Sequence, residues 1–324
     1  MKLLKLVPDN TNIDFMRWRK VAIFLTMALA VAGFVITGVR GLNLGIDFVG
    51  GQVVVAEFAD DVQIEDLRAD VATIGAGAAS IQQFGDERTY QIRLPKPEGS
   101  VNDGSANQVV SELRTMLETE HPGVDVGAAQ SVSGNVSEEL ARDGALSLIF
   151  AMMGIAAYIW IRFEWQFGVG ALATLFHDIG LLLAFFSITR LEVDLNIVAA
   201  FLTVVGYTLN DTVVIYDRIR ENLRKFRKMG IVPLINLSLN ETLSRTITTS
   251  VALLLAIGAL LVLGPEVIFG LTIAIFLGLF IGTYSSIYIS APMLVFLGVT
   301  PDSFVHDDDG KEQPRGPKTE AIGG

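Results

Sequence analysis

"VAIFLTMALAVAGFVITGV", residues Val21 to Val39, is 19 residues long and contains no charge. As a helix it extends about 28 Å at about 1.5 Å per residue, enough to cross the hydrocarbon core of a bilayer. Arg17, Arg19 and Lys20 stand immediately before it. The run is longer than the apolar part of a signal peptide and no small-x-small cleavage site closes it, so it reads as a retained span.

The rest of the 324 residues agrees with a membrane reading. Hydrophobic residues make up 51% and charged ones 18%, and the mean hydropathy is +0.49, unlike an ordinary soluble enzyme. Five further apolar segments follow, Gly144 to Ile161, Phe167 to Ile188, Leu195 to Tyr216, Thr246 to Leu263 and Val267 to Leu297, which predicts six membrane helices. With no cysteine in the chain, disulfides, thiolate metal sites and cysteine nucleophiles are excluded. A net charge of -11 speaks against a nucleic-acid partner.

Orientation follows from the basic residues. Five Lys and Arg precede the first span, and seven lie in Asp217 to Arg245. The positive-inside rule places both segments in the cytoplasm. The expected order is a cytoplasmic N-terminus (1–20), a first span (21–39), a domain outside the cytoplasm (40–143), five spans (144–298) with a cytoplasmic loop at 217–245, and a disordered cytoplasmic tail (299–324). The domain at 40–143 carries 18 acidic against 7 basic residues.

That acidic block alternates strand and helix signals. "GQVVVAEF" from Gly51 reads as a strand, Asp60 with Gln63 as a capping box opening a helix, "SIQQF" and "RTYQIRL" as two strands about a turn at Gly85, Ser105 with Gln108 as the start of a second helix, and Val124 to Val132 as a last strand. The order β-α-β-β-α-β is the ferredoxin-like plan. Two helices cover one face of such a sheet; the other is left to solvent or a partner.

Within the fourth span, "VVGYTLNDTVVIYDRIREN" (Val204 to Asn222) places Asp211 among apolar residues. A carboxylate at membrane depth costs about 2.5 kcal/mol or more and usually faces a bundle interior or a water path. At helical spacing it shares a side with Thr203, Tyr207, Thr208 and Thr212, opposite Val205, Leu209 and Val213. Two readings stand: a protonatable functional site, or a neutral structural carboxyl bonded to a neighbouring helix. Arg245, at the entry of the fifth span in "NETLSRTITTS", is either a partner for Asp211 or an arginine reaching for headgroups. Burial favours the neutral acid and a facing cation favours the anion, so protonation in such a pair depends on geometry. Ser238 with Glu241 has the spacing of a capping box for that helix.

His177 and Asp178 in the third span, with Tyr207 and Asn210 in the fourth, are secondary candidates. No further ligands for a metal are evident, and the sequence contexts of intramembrane aspartic proteases are absent. Gly278 and Gly282 form a small-xxx-small pair for helix packing, and Pro292 is placed to kink the sixth helix. "YDRIRENLRKFRKMG" reads as an amphipathic surface helix or as a solvated basic loop. His306 beside Asp307 to Asp309 reads as tail.

"GLNLGIDFVGG" after the first span, "FHDIG" in the third, "VVGYTLNDTVVIYDRIREN" and "NETLSRTITTS" together resemble the SecF family of the SecDF protein-export complex, in the resistance-nodulation-division superfamily. The motif residues are Gly45, Ile46, Asp47, Phe48, Gly50 and Gly51; the sister SecD family usually has LDL where Ile46 to Phe48 stand. The resemblance spans Arg17 to about Gly298. It implies a six-helix bundle with a ferredoxin-like periplasmic domain in the bacterial inner membrane, paired with SecD, working beside the SecYEG channel on a translocating polypeptide among membrane lipids. It also implies use of the proton motive force, with Asp211 and Arg245 in proton coupling, H+ as coupling ion, and no cofactor, metal or covalent catalysis. The alternatives are a stand-alone proton-coupled efflux permease and a non-transporting membrane scaffold.

Overall fold

Among the described residues, six helices are long and apolar enough to cross a membrane, at Phe15–Arg40, Val136–Arg162, Trp165–Thr189, Leu195–Lys225, Ile231–Leu263 and Phe269–Phe296. The computed structural model describes residues 7–8, 11–74, 79–94 and 103–300. Of the expected tail at 299–324, Val299 is instead buried in the bundle core, and the part beyond residue 300, with His306 and Asp307 to Asp309, lies outside the described residues.

The first span is α1 (Arg19–Arg40). A two-residue strand β1 (Asn43–Leu44), one turn α2 (Ile46–Val49) and strand β2 (Gly51–Glu57) lead into the domain between the first two spans, the outer domain of the expected topology. There follow α3 (Ile64–Thr73), β3 (Ser80–Gln83), β4 (Thr89–Leu94), α4 (Asp103–Glu120), β5 (Asp125–Val126) and β6 (Gln130–Val132). The sheet order is β3-β4-β2-β5, with β6 also on β2, and every pairing is antiparallel. This is the ferredoxin-like arrangement, the first strand lying between the third and the fourth. The expected last strand, Val124 to Val132, is interrupted at 127–129, where Gly127 still donates its N–H to Val55 O at 2.8 Å.

Alternation explains the core. Val54 and Ala56 of β2 and Tyr90, Ile92 and Leu94 of β4 point to one face and meet Leu67, Val71, Leu113 and Leu117 of the two helices, all buried. Each large apolar side chain so buried contributes about 1.5–3 kcal/mol. The opposite face carries Val53, Val55, Gln82, Gln91 and Gln130 and looks across a cleft of about 550 Å³ at the outer end of the bundle. It therefore has an intramolecular neighbour.

Two helix starts differ from the local signals. α3 begins at Ile64 with Gln63 as N-cap and no side-chain cap bond, because the segment before it is held to the sheet: Tyr90 Oη donates to Val62 O at 2.7 Å and Arg88 to Ala59 O at 3.2 Å. α4 begins at Asp103, so Ser105 lies inside its first turn.

In the bundle, α5 (Gly134–Arg162) starts ten residues before its apolar run, inside the outer region. α6 (Trp165–Thr189) follows, then β7 (Glu192–Val193), which pairs in parallel with β1. α7 (Leu195–Lys225) and α8 (Ile231–Leu263) are joined by residues 226–230 alone. The expected loop at 217–245 is thus mostly helix. Its apolar residues Ile215, Ile219 and Leu223 are buried against Leu234, Ile235 and Leu239 of α8, so the stretch is no free surface helix; its apolar stripe is spent on an intramolecular hairpin. Ser238 sits two turns inside α8 and donates to Leu234 O at 2.9 Å, and Glu241 accepts from Arg218 at 2.7 Å, so neither caps the helix.

The last span is α9 (Phe269–Ser285), a π-helical turn (Ser286–Ser290) and α10 (Ala291–Phe296), with Pro292 in the first turn of α10. Proline lacks an N–H and clashes with the preceding turn, and the wider turn lies directly before it. Tyr216 of α7 donates to the Ser290 carbonyl at 3.3 Å.

Candidate functional site

α7 lies at the centre of the bundle, against α6, α8 and α9. Gly278 and Gly282 permit its contact with α9: a Cβ at Gly278 would run into the Val204 side chain, and one at Gly282 into the Thr208 hydroxyl. Thr208 and Asp211, three residues apart, share a helix face, and both are buried.

Two carboxylates sit in this polar interior and differ in kind. Asp178 of α6 is fully partnered: Oδ1 meets His177 Nδ1 at 2.9 Å and Oδ2 accepts from Ser285 Oγ at 2.9 Å. Thr208 faces the same carboxyl, though its hydroxyl makes no well-formed bond. Ser285 donates to the acid and not to the imidazole, and His177 Nε2 has no partner. The order of a Ser-His-Asp nucleophile is therefore not present. Among the described residues no three His, Asp or Glu side chains converge as a metal site would require.

Asp211 has no hydrogen-bond partner among the described residues. Its Oδ2 is buried without a hydrogen bond, as are the hydroxyls of Thr212 beside it and of Thr246 beside Arg245. A buried polar group without a partner costs about 1–3 kcal/mol, so such a cluster calls for an explanation beyond packing. Arg245 is the cation whose charge Asp211 feels, yet no ion pair within 4.0 Å joins them among the described residues. Arg245 is exposed on the single chain, and so are Thr203, Gly206 and Asn210 of α7. The polar side of α7 thus divides, with Thr208, Asp211 and Thr212 inward and Thr203 and Asn210 outward. Tyr207 occupies the boundary: its hydroxyl is 3.0 Å from Ser250 Oγ of α8, which also accepts from Thr283 of α9 at 2.9 Å. Asn210 makes no hydrogen bond in the described structure.

The glycine-rich motif lies at the outer end of the same helix. Asp47 Oδ2 accepts the N–H of Leu195, the first residue of α7, at 3.0 Å. Asp194 caps the same end by accepting from Ile197 N at 3.0 Å. Gly45 donates to Val193 O at 2.8 Å and has no room for a Cβ against Glu192. Gly50 has φ 73°, and its Cα faces Gly134 and Ser137 of α5. Ile46 is buried, and Phe48 packs on the cluster formed by α6 and α7. From the sheet, Arg93 reaches Glu192 at 2.5 Å and donates to Leu44 O at 2.7 Å. The motif is a strap: its last residue, Gly51, begins β2, the central strand, and within it a carboxylate holds the start of the helix that carries Asp211.

Sequence reasoning did not find Ser285, Ser250, Thr283, Glu192 or Arg93. Hydroxyl side chains inside apolar runs were the available signal for the first three; the ion pair left none.

These features define a class: a polytopic membrane protein whose helix bundle holds an unpaired carboxylate near an arginine and whose extramembrane domain is strapped to the carboxylate's helix. Comparison with known proteins makes the assignment specific. Residues 112–300 match the model of the protein export membrane protein SecD/SecF C-terminal family, and residues 35–62 that of the SecD/SecF GG motif. The chain is 41% identical to the protein translocase subunit SecF of Rickettsia bellii (strain OSU 85-389), over 90% of this chain and 95% of that one. It is also 41% identical to SecF of Rickettsia rickettsii (strain Sheila Smith), covering 90% and 94%. Among solved structures, SecDF of Thermus thermophilus, a translocon-associated membrane protein, superposes with a TM-score of 0.82 at 33% identity, over 90% of this chain and 39% of that one. SecDF in its super-membrane-facing form gives 0.66 at 32% identity, over 89% and 39%. The chain therefore spans about two-fifths of SecDF. It belongs to the SecD/SecF family of protein export membrane proteins, in its SecF group.

Proposed function

We propose that the chain is a proton-driven accessory subunit of the Sec translocase that pairs with SecD and promotes export of polypeptides through SecYEG, without covalent catalysis and with H+ as the coupling ion. In this reading it lies in the bacterial inner membrane with both termini cytoplasmic and 40–143 outside, as the Lys and Arg asymmetry requires.

The observation that carries the proposal is the buried, unbonded Oδ2 of Asp211 beside an arginine that does not touch it. A carboxyl so placed exchanges its neighbour when it gains or loses a proton: the anion draws Arg245 in and the acid releases it. A proton crossing 100 mV releases about 2.3 kcal/mol, a bias of about fifty-fold on a two-state element. The strap from Leu195 to Asp47 gives a movement of α7 a direct route to the outer sheet. The exposed Arg245, Asn210 and Thr203 support a partner subunit, because polar and charged side chains of membrane spans face a bundle interior or pair with one another more often than they face lipid.

Export into inverted vesicles containing SecD and SecYEG tests the reading. Asp211→Asn is nearly isosteric and should abolish proton-dependent stimulation while leaving the amount of complex unchanged. Arg245→Met should do the same, and the double variant should cost little more than either, since groups acting as one unit are not additive. Stimulation that persists in Asp211→Asn would remove Asp211 from the mechanism and leave Asp178 as the next carboxylate to test.

A further inference from the structure

At the end of the bundle opposite the outer domain, α5 terminates at Arg162 and α7 runs on past its apolar stretch. Between them lies a cleft of about 550 Å³ lined by Arg162, Asp217, Arg220, Glu221, Arg224 and Lys225. Four cations face two carboxylates there, an excess of positive charge. Glu221 is held by Arg218 at 2.6 Å, from outside the lining set, and Asp217 has only a long contact of 3.4 Å with Arg162. Arg224 has neither hydrogen bond nor ion pair among the described residues, and Lys225 holds its ammonium 5.1 Å from the Phe226 ring centroid. The Arg220 Nε is buried and unbonded, although its other nitrogens reach Glu164 and the Arg162 carbonyl.

The setting is interfacial. Trp160 and Trp165, two and three residues from Arg162, are 70% and 53% exposed, and tryptophan concentrates where lipid headgroups meet acyl chains. Above them, the outward side of α5 presents Phe150, Met153 and Ile161. A basic cleft between helix ends, beside exposed tryptophans, suits a phosphate that has acyl chains attached. We propose that this cleft binds the headgroup of an anionic phospholipid, with its phosphate held by Arg224, Lys225, Arg220 and Arg162 and its acyl chains lying along α5. The site depends on the bundle lying in a bilayer and not on the export reading.

The tryptophans report on the site. The chain has three, so Trp18→Phe leaves Trp160 and Trp165 as the fluorophores. This variant is reconstituted in phosphatidylcholine vesicles in which a rising fraction of lipid is replaced by brominated phosphatidylglycerol or, in parallel, by brominated phosphatidylcholine. The anionic quencher should act at about fivefold lower mole fraction or better, the worth of one basic side chain near such a surface. Adding Arg224→Gln and Lys225→Gln should bring the two curves together, whereas Arg224→Lys should keep them apart. Equal quenching by both lipids before any charge is removed overturns the assignment, as does a preference that survives the double change. Millimolar inorganic phosphate distinguishes the two sources of phosphate: the preference should persist, and its loss would make this a free-phosphate site and refute the lipid assignment.

Discussion

Asp47→Ala cuts the strap at one bond. The bond lost is Leu195 N–H to a carboxylate at 3.0 Å, at a helix N-terminus. Capping bonds of this type contribute about 0.5–2 kcal/mol, and a charged acceptor puts this one in the upper half of the range. Asp194 still holds Ile197 N, so the helix keeps a cap and the loss is confined to its first turn. A loss of 1–2 kcal/mol corresponds to about a 5–30-fold rise in local opening. Hydrogen-deuterium exchange on the purified protein should show that rise at Leu195 to Val198, with little change near Asp211. Asp47→Asn keeps a neutral acceptor and should fall between. Proton-stimulated export should drop in the same order, since α7 and the outer sheet would move less as one piece. Unchanged exchange at Leu195, or an equal rise along the whole of α7, would refute the claim that Asp47 holds this helix end.

In the isolated chain, Gly282→Ala should lower thermal stability, by about 1–3 kcal/mol for an overpacked contact, because its methyl enters the space of Thr208; Gly206→Ala, which meets nothing within 4 Å, should not, and equal melting temperatures would contradict the close α7 and α9 contact. The fragment 50–133, trimmed to exclude the β1 strand that pairs with the bundle, should melt cooperatively with mixed α and β circular dichroism, since its core closes on itself; a spectrum of disordered chain would count against that. The chain has no cysteine of its own, so Glu118→Cys gives a single reporter on α4, which should label from outside in intact spheroplasts, and protection there would reverse the proposed topology.

What could be read from the sequence had a local period or a local contrast. β4 alternates strictly because one face meets α3 and α4, β2 is a short β-branched run between turn residues, and together they made the ferredoxin-like plan legible; Asp211 stood out because its surroundings are apolar. The ends of α7 and α8 were misread for a physical reason. Within lipid a helix is marked by apolarity, but past the bilayer the same helix becomes amphipathic, so its continuation resembled a separate element and Ser238 resembled a cap. The start of α3 was set by Tyr90 and Arg88, partners from another part of the chain. Asp47 and Leu195 are 148 residues apart, and no periodicity announces such a bond. At the site, the residue types were visible, but which carboxylate is satisfied was not: that depends on Ser285 arriving from α9.

The π-helical turn at Ser286–Ser290 has a consequence for how this chain can change its length. Such a turn closes with one residue more than an α turn, so deleting one residue there lets the backbone close as an ordinary helix while α9 and α10 keep their facing. Deleting one residue from the middle of α9 instead rotates everything beyond it by about 100° and carries Gly282 away from Thr208. The loss of a single residue in the last span can therefore be absorbed at 286–290 without disturbing the interior, which makes this segment the natural place for related chains to be shorter by one.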